Sequence, residues 1–185
     1  MKNPYFFGFL PLVTILFFSM SFGIFAVNES LLLFKKIGIY AAMREFLTDF
    51  ELRTFLFICF IVLFFMLFAA IKLIGETVHA IGMLFFAKFT EEQPFIDTRS
   101  SYVVLFIGAC VSFIGMNHLF LLLSVSAITI IAYFIVVMAR LTTNLSFFNV
   151  LLLLLFEFVI YTVIILGIAY AVVKLYNTLL ASLPF

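Results

Sequence analysis

Long apolar runs separated by short polar clusters make up most of this chain, and the lengths of the runs predict membrane-crossing helices. A spanning helix needs about 20 mainly apolar residues, since the hydrocarbon core is about 30 Å thick and each helical residue rises about 1.5 Å. Residues 5–27 are the first such run. Pro11 is expected to kink it, and Ser19 and Gly23 stand at the small-xxx-small spacing that lets another backbone approach. The run follows Lys2, as a secretory signal core would, but it is long for one and no small-x-small cleavage site follows. The expectation is therefore a retained first span.

Between residues 28 and 53 the pattern becomes amphipathic, with Lys35, Lys36, Arg44, Glu45, Asp49, Glu51 and Arg53 set among Leu, Ile, Phe and Tyr. A helix over about 31–50 is expected to lie along the interface, as a connector with a solvated face or as a partner-docking or lipid-sensing surface. Residues 54–74 form the second expected span, continuing as helix to about Lys88. Lys72, Glu76 and His79 share one face of it, and Gly75 and Gly82 lie on the side of His79, a pattern suited to close packing. The polar stretch 90–101 reads as a loop. Its Glu91-Glu92 pair resembles the Glu-Glu-x-x-x-Arg signature of a class of intramembrane proteases, but Ile96 occupies the Arg position.

Residues 102–140 would measure about 58 Å as one helix, nearly twice the hydrocarbon thickness, so they must fold back. The preferred turn is Gly115-Met116-Asn117-His118, which gives spans over 98–114 and 119–140. A turn at Ser124-Val125-Ser126 would instead put His118 inside the membrane. The short link 141–146 makes its flanking helices antiparallel neighbours, and the last span covers 147–173. The predicted fold is all-α: a polytopic transmembrane bundle of about five spans plus one amphipathic interfacial helix, forming a single membrane domain over 1–185.

Glu157 is the only charged residue in 147–173. A carboxylate at bilayer depth must be paired, protonated or wet, so it should face the bundle. Equal steps from the 141–146 link place it level with Ile130, near Thr129 and Tyr133. Ser126, Thr129 and Tyr133 share a helix face, and Tyr161 lies one turn beyond Glu157. A polar seam of these residues is the candidate intramembrane site, as structural glue or as an ion, proton or substrate site. His79 and His118 are the candidate proton-handling residues, His118 as a partner of Glu157 only with the alternative turn.

Composition narrows the field. The chain is 67% hydrophobic and 10% charged, too apolar for a soluble domain of 185 residues. A net charge of +1 without a basic run gives no case for nucleic acid. Cys59 and Cys110 sit inside apolar runs and suggest neither disulfide nor metal site. No cofactor motif is present, and two His outside any triad argue against an enzyme. The 29 Phe suit lipid and packing contacts, with Tyr and Lys left to form the interfacial belt. Lys2, Lys72, Lys88, Arg99 and Arg140 balance Lys35, Lys36, Arg44, Arg53 and Lys174 across five spans, so the positive-inside rule sets no orientation.

The opening Met-Lys-Asn-Pro-Tyr, the Pro-containing first span and the Leu-Phe-Phe-Met-Leu-Phe-Ala-Ala-Ile-Lys-Leu-Ile stretch over 63–74 resemble the YufK-like family of small bacillar membrane proteins. The resemblance implies a bacterial cytoplasmic membrane location and carries over no functional residues. The expected function is a non-enzymatic accessory or interaction module, a homo-oligomer or part of a larger membrane complex. The alternative is a small transporter or substrate-binding membrane component with its site around Glu157.

Overall fold

The computed structural model describes residues 8–86, 99–142 and 145–182. Its helices are α1 (Leu10–Ile37), α2 (Ile39–Phe46), α3 (Asp49–Phe86), α4 (Tyr102–Ser112), α5 (Leu119–Leu141) and α6 (Phe147–Ser182), with one 3₁₀ turn at Arg99–Ser101 and another at Phe113–Gly115. No strand occurs among the described residues. The polar stretch with Glu91 and Glu92, and the end of the second expected helix at Lys88, fall outside them up to residue 98. Among the described residues, four helices (α1, α3, α5 and α6) are long and apolar enough to cross a membrane; α4 with its 3₁₀ extension is a shorter apolar helix.

The chain divides into two compact units, Met1–Leu73 with Glu91–Leu141, and Ile74–Thr90 with Thr142–Phe185. In the first unit α1 begins at Leu10, so Pro11 stands in its first turn and the expected kink is absent. A proline there removes no helical hydrogen bond, because the first amides have no intrahelical acceptor. α1 also runs ten residues beyond residue 27, to Gly38, whose φ of 82° supplies a left-handed end. Of the separate helix expected over 31–50, only α2 stands apart from α1 and α3. Nothing between Val27 and Gly38 forces a break: Asn28, Glu29 and Ser30 are tolerated in a helix that packing already holds.

α3 starts on a capping box. The Thr48 N–H donates to Glu51 Oε2 at 2.8 Å, and the Glu51 N–H donates to Thr48 Oγ1 at 3.3 Å. Asp49 ties α2 to α3, accepting from the Tyr40 hydroxyl at 2.5 Å and Arg53 Nε at 2.9 Å, with Arg44 Nη1 at 3.7 Å. Those contacts, Tyr40 foremost, hold its pKa below the ordinary aspartate value, and the bonds from Thr48 do the same for Glu51. Beneath this corner, Val27, Leu31 and Leu52 form a small buried core.

Side-chain pairs fix the helix directions within the first unit. Phe22 packs on Phe64 and Phe68, with ring centres 5.5 and 5.3 Å away, and Gly23 lies against Ile61, so α3 returns antiparallel to α1. Ser21 and Ser112 share a 2.7 Å hydrogen bond, while Phe17 reaches both Phe106 and Phe113. An antiparallel α4 aligned on Ser21 and Ser112 would carry Phe106 about 15 Å from the level of Phe17, so α4 runs parallel to α1. α4 and α5 separate at Met116–His118, where the turn-forming residues stand, and His118 is exposed there.

Candidate functional site

The second unit contains the one fully buried acid among the described residues. On the last three turns of α3, Gly75, His79 and Gly82 follow i, i+4, i+7 spacing and so share a face. On α6, Leu153, Glu157 and Tyr161 repeat every fourth residue and share another. These faces meet. A Cβ added to Gly82 would stand 2.5 Å from Leu153 Cδ1 and 3.2 Å from Phe156 Cδ1. A side chain there would have to displace Leu153, so glycine suits this close approach. At the other end the Tyr161 hydroxyl donates to the Gly75 carbonyl over 3.5 Å, a long bond. Gly75 with Tyr161, His79 with Glu157 and Gly82 with Leu153 step in opposite directions, so the two segments are antiparallel.

Between the glycine contacts, His79 Nδ1 and Glu157 Oε1 are 2.6 Å apart. One proton lies between them, donated by the imidazole to the carboxylate or by the carboxyl group to the ring nitrogen. The Glu157 side chain is 2% exposed and that of His79 25%, so the acid is sealed while the histidine keeps one edge open. A buried carboxyl group with one strong partner is costly to leave unpaired, and an imidazole with an open edge can exchange its proton with the surroundings. Glu76, on the same α3 face by periodicity, is exposed.

The other expected site residues belong to the first unit. Ser126 Oγ donates to the Leu122 carbonyl at 2.8 Å and Thr129 Oγ1 to the Val125 carbonyl at 2.7 Å, each satisfied within its own helix. Thr129 fills the space a side chain at Gly108 would occupy: a Cβ there would be 2.1 Å from its hydroxyl oxygen. Tyr133 stacks on Tyr102 with ring centres 5.8 Å apart. The hydroxyl face of α5 thus packs on α4. His118 N–H donates to the Gly115 carbonyl at 2.9 Å within the turn. Sequence reasoning placed His79 and Glu157 in separate candidate sites, although Gly75 and Gly82 marked the His79 face as one that another helix approaches.

The described residues include no cluster of three or more His, Cys, Asp or Glu able to hold a metal ion. Residues 27–184 match a family described as a family of unknown function, DUF5366. The chain is 32% identical over 184 residues to the uncharacterized membrane protein YufK of Bacillus subtilis (strain 168), with all of both chains covered. No solved structure matches.

Proposed function

The chain belongs to the family of unknown function DUF5366 and is an integral membrane protein, and from that premise we propose that it is a non-enzymatic accessory or interaction module of the bacterial cytoplasmic membrane. The observation that carries this reading is the open half of α6. From Thr162 to Ala181 none of its residues is buried, a length of about 30 Å. Gly167 has nothing within 4 Å of where its Cβ would be, and Ala171 stands one turn on. Against lipid alone a glycine offers no advantage over a larger apolar residue, whereas against a helix it permits close packing. The occupant is an apolar helix of a partner membrane protein. A photo-crosslinking residue at Val163, tested in native membranes, should give a discrete protein adduct that Gly167→Leu abolishes; adducts to lipid alone would sink the reading.

His79 and Glu157 favour a second reading, a small transporter or substrate-binding component in which the pair carries a proton. Its site would comprise Glu157, His79 and Tyr161. Proteoliposomes with a pH-sensitive dye inside should then show proton entry that Glu157→Gln abolishes. Entry at the same rate in the parent and the Glu157→Gln variant counts against transport through this pair.

A further inference from the structure

A hollow of about 250 Å³ opens in the first unit, lined by Asn28, Leu31, Leu32, Lys35 and Arg53. Four of these residues come from α1 at i, i+3, i+4 and i+7 spacing, one face of its extension beyond residue 27. Arg53 comes from the first turns of α3, where the Thr48–Glu51 capping box sets the start of the helix and Asp49 accepts from its Nε at 2.9 Å. The wall is chemically divided. Leu31 is buried and Leu32 is 60% exposed, giving an apolar side. The polar side supplies donors and two positive charges, and no carboxylate lines it.

Those donors are not consumed by the protein. The terminal nitrogens of Arg53 have no protein acceptor among the described residues. The Lys35 ammonium lies over the Tyr40 ring, 5.0 Å from its centre, a contact that holds the charge without using its hydrogens. Asn28 is exposed and its amide can donate and accept. The hollow also sits where the apolar part of α1 ends and that of α3 begins. That is the depth at which acyl chains give way to headgroups.

We propose that this hollow seats the phosphate group of an anionic phospholipid, with Lys35 and Arg53 on the phosphate oxygens and Asn28 beside them. The first acyl carbons lie along Leu31 and Leu32. Guanidinium and ammonium groups are the usual partners of phosphate, and each cation set against the phosphate adds about a fivefold preference for an anionic lipid. Soluble phosphate shares the headgroup chemistry but gains nothing from the leucine wall.

Native mass spectrometry of the full chain in mild detergent tests this, with equimolar phosphatidylglycerol and phosphatidylcholine added. Phosphatidylglycerol should be retained over phosphatidylcholine by about 25-fold, two cations each contributing about fivefold. Lys35→Gln should reduce that preference about fivefold and Lys35→Arg restore it, while Lys36→Gln, outside the hollow, leaves it unchanged. Lys35→Gln with Arg53→Gln should erase it; the single Lys35 variants keep the test valid if the double variant misfolds, because Lys35 does not brace Asp49. Equal retention of the two lipids, or equal losses from Lys35→Gln and Lys36→Gln, would overturn the proposal. Displacement of phosphatidylglycerol by millimolar inorganic phosphate would assign the hollow to a soluble anion and overturn the lipid reading.

Discussion

Glu157 and His79 differ in what each leaves behind when the other is removed. The acid is sealed and the histidine partly open, so replacing His79 strands a buried carboxyl group, whereas replacing Glu157 strands an imidazole that can turn to its exposed edge. His79→Leu should therefore cost more stability than Glu157→Leu, by about 1–3 kcal/mol, in a reversible unfolding titration in mixed micelles. Equal costs would show that the 2.6 Å contact is not what keeps the acid buried. Gly82 and Gly167 differ in the same way. A Gly82 Cβ would press on the wholly buried Leu153 and force its side chain to shift, so Gly82→Ala should destabilise by about 1–3 kcal/mol. Gly167 meets nothing, so Gly167→Ala should gain about 1 kcal/mol in the isolated chain through helix propensity alone. The same unfolding titration reads both, and Gly82→Ala as stable as the parent would refute the close approach of α3 and α6.

The corner between α2 and α3 depends on carboxylates that must be ionised. Asp49 and Glu51 both have pKa values lowered by hydrogen bonds, from Tyr40 and then Arg53 for the first and from Thr48 for the second. A carboxylate whose folded pKa is lowered contributes stability that is present above its unfolded value, about 4, and lost as pH falls through the folded value. The start of α3 should thus stay protected at neutral pH and loosen below about pH 4. Tyr40→Phe removes the first cause of the Asp49 shift, so its folded pKa moves up toward the ordinary value and the contribution above pH 4 shrinks. Hydrogen exchange of the amides from Thr48 to Arg53 measures this. Identical pH profiles for the parent and the Tyr40→Phe variant would show that the tyrosine bond carries no part of the corner's stability.

For the whole molecule, apolar run length made the helices legible, since the lack of water in a bilayer turns each long run into a helix. The turn at Met116–His118 was legible from its residue types. Helix ends were less so: α1 continues to Ile37 and α6 to Ser182, because apolarity marks where hydrocarbon ends and not where hydrogen bonding does. The pairing of Glu157 with His79 escaped the sequence, since counting from a short link relates a residue only to the helix adjacent in the chain. The Gly75 and Gly82 face showed that α3 is closely approached but could not say by which helix. α4 runs parallel to α1, so the α2 corner and the turn at Met116–His118 lie at the same end of the first unit, and the start of α1 lies at the other. In a chain whose Cys59 and Cys110 are replaced by alanine, Ala42→Cys and Asn117→Cys should react with a membrane-impermeant maleimide from the same face of the membrane, and Gly8→Cys from the opposite face. Both corner positions are exposed, as is Gly8, so failure to label cannot be ascribed to burial in the protein. Labelling of Ala42→Cys and Asn117→Cys from opposite faces would require α4 to run antiparallel to α1, and would contradict the hydrogen bond between Ser21 and Ser112 together with both ring contacts of Phe17.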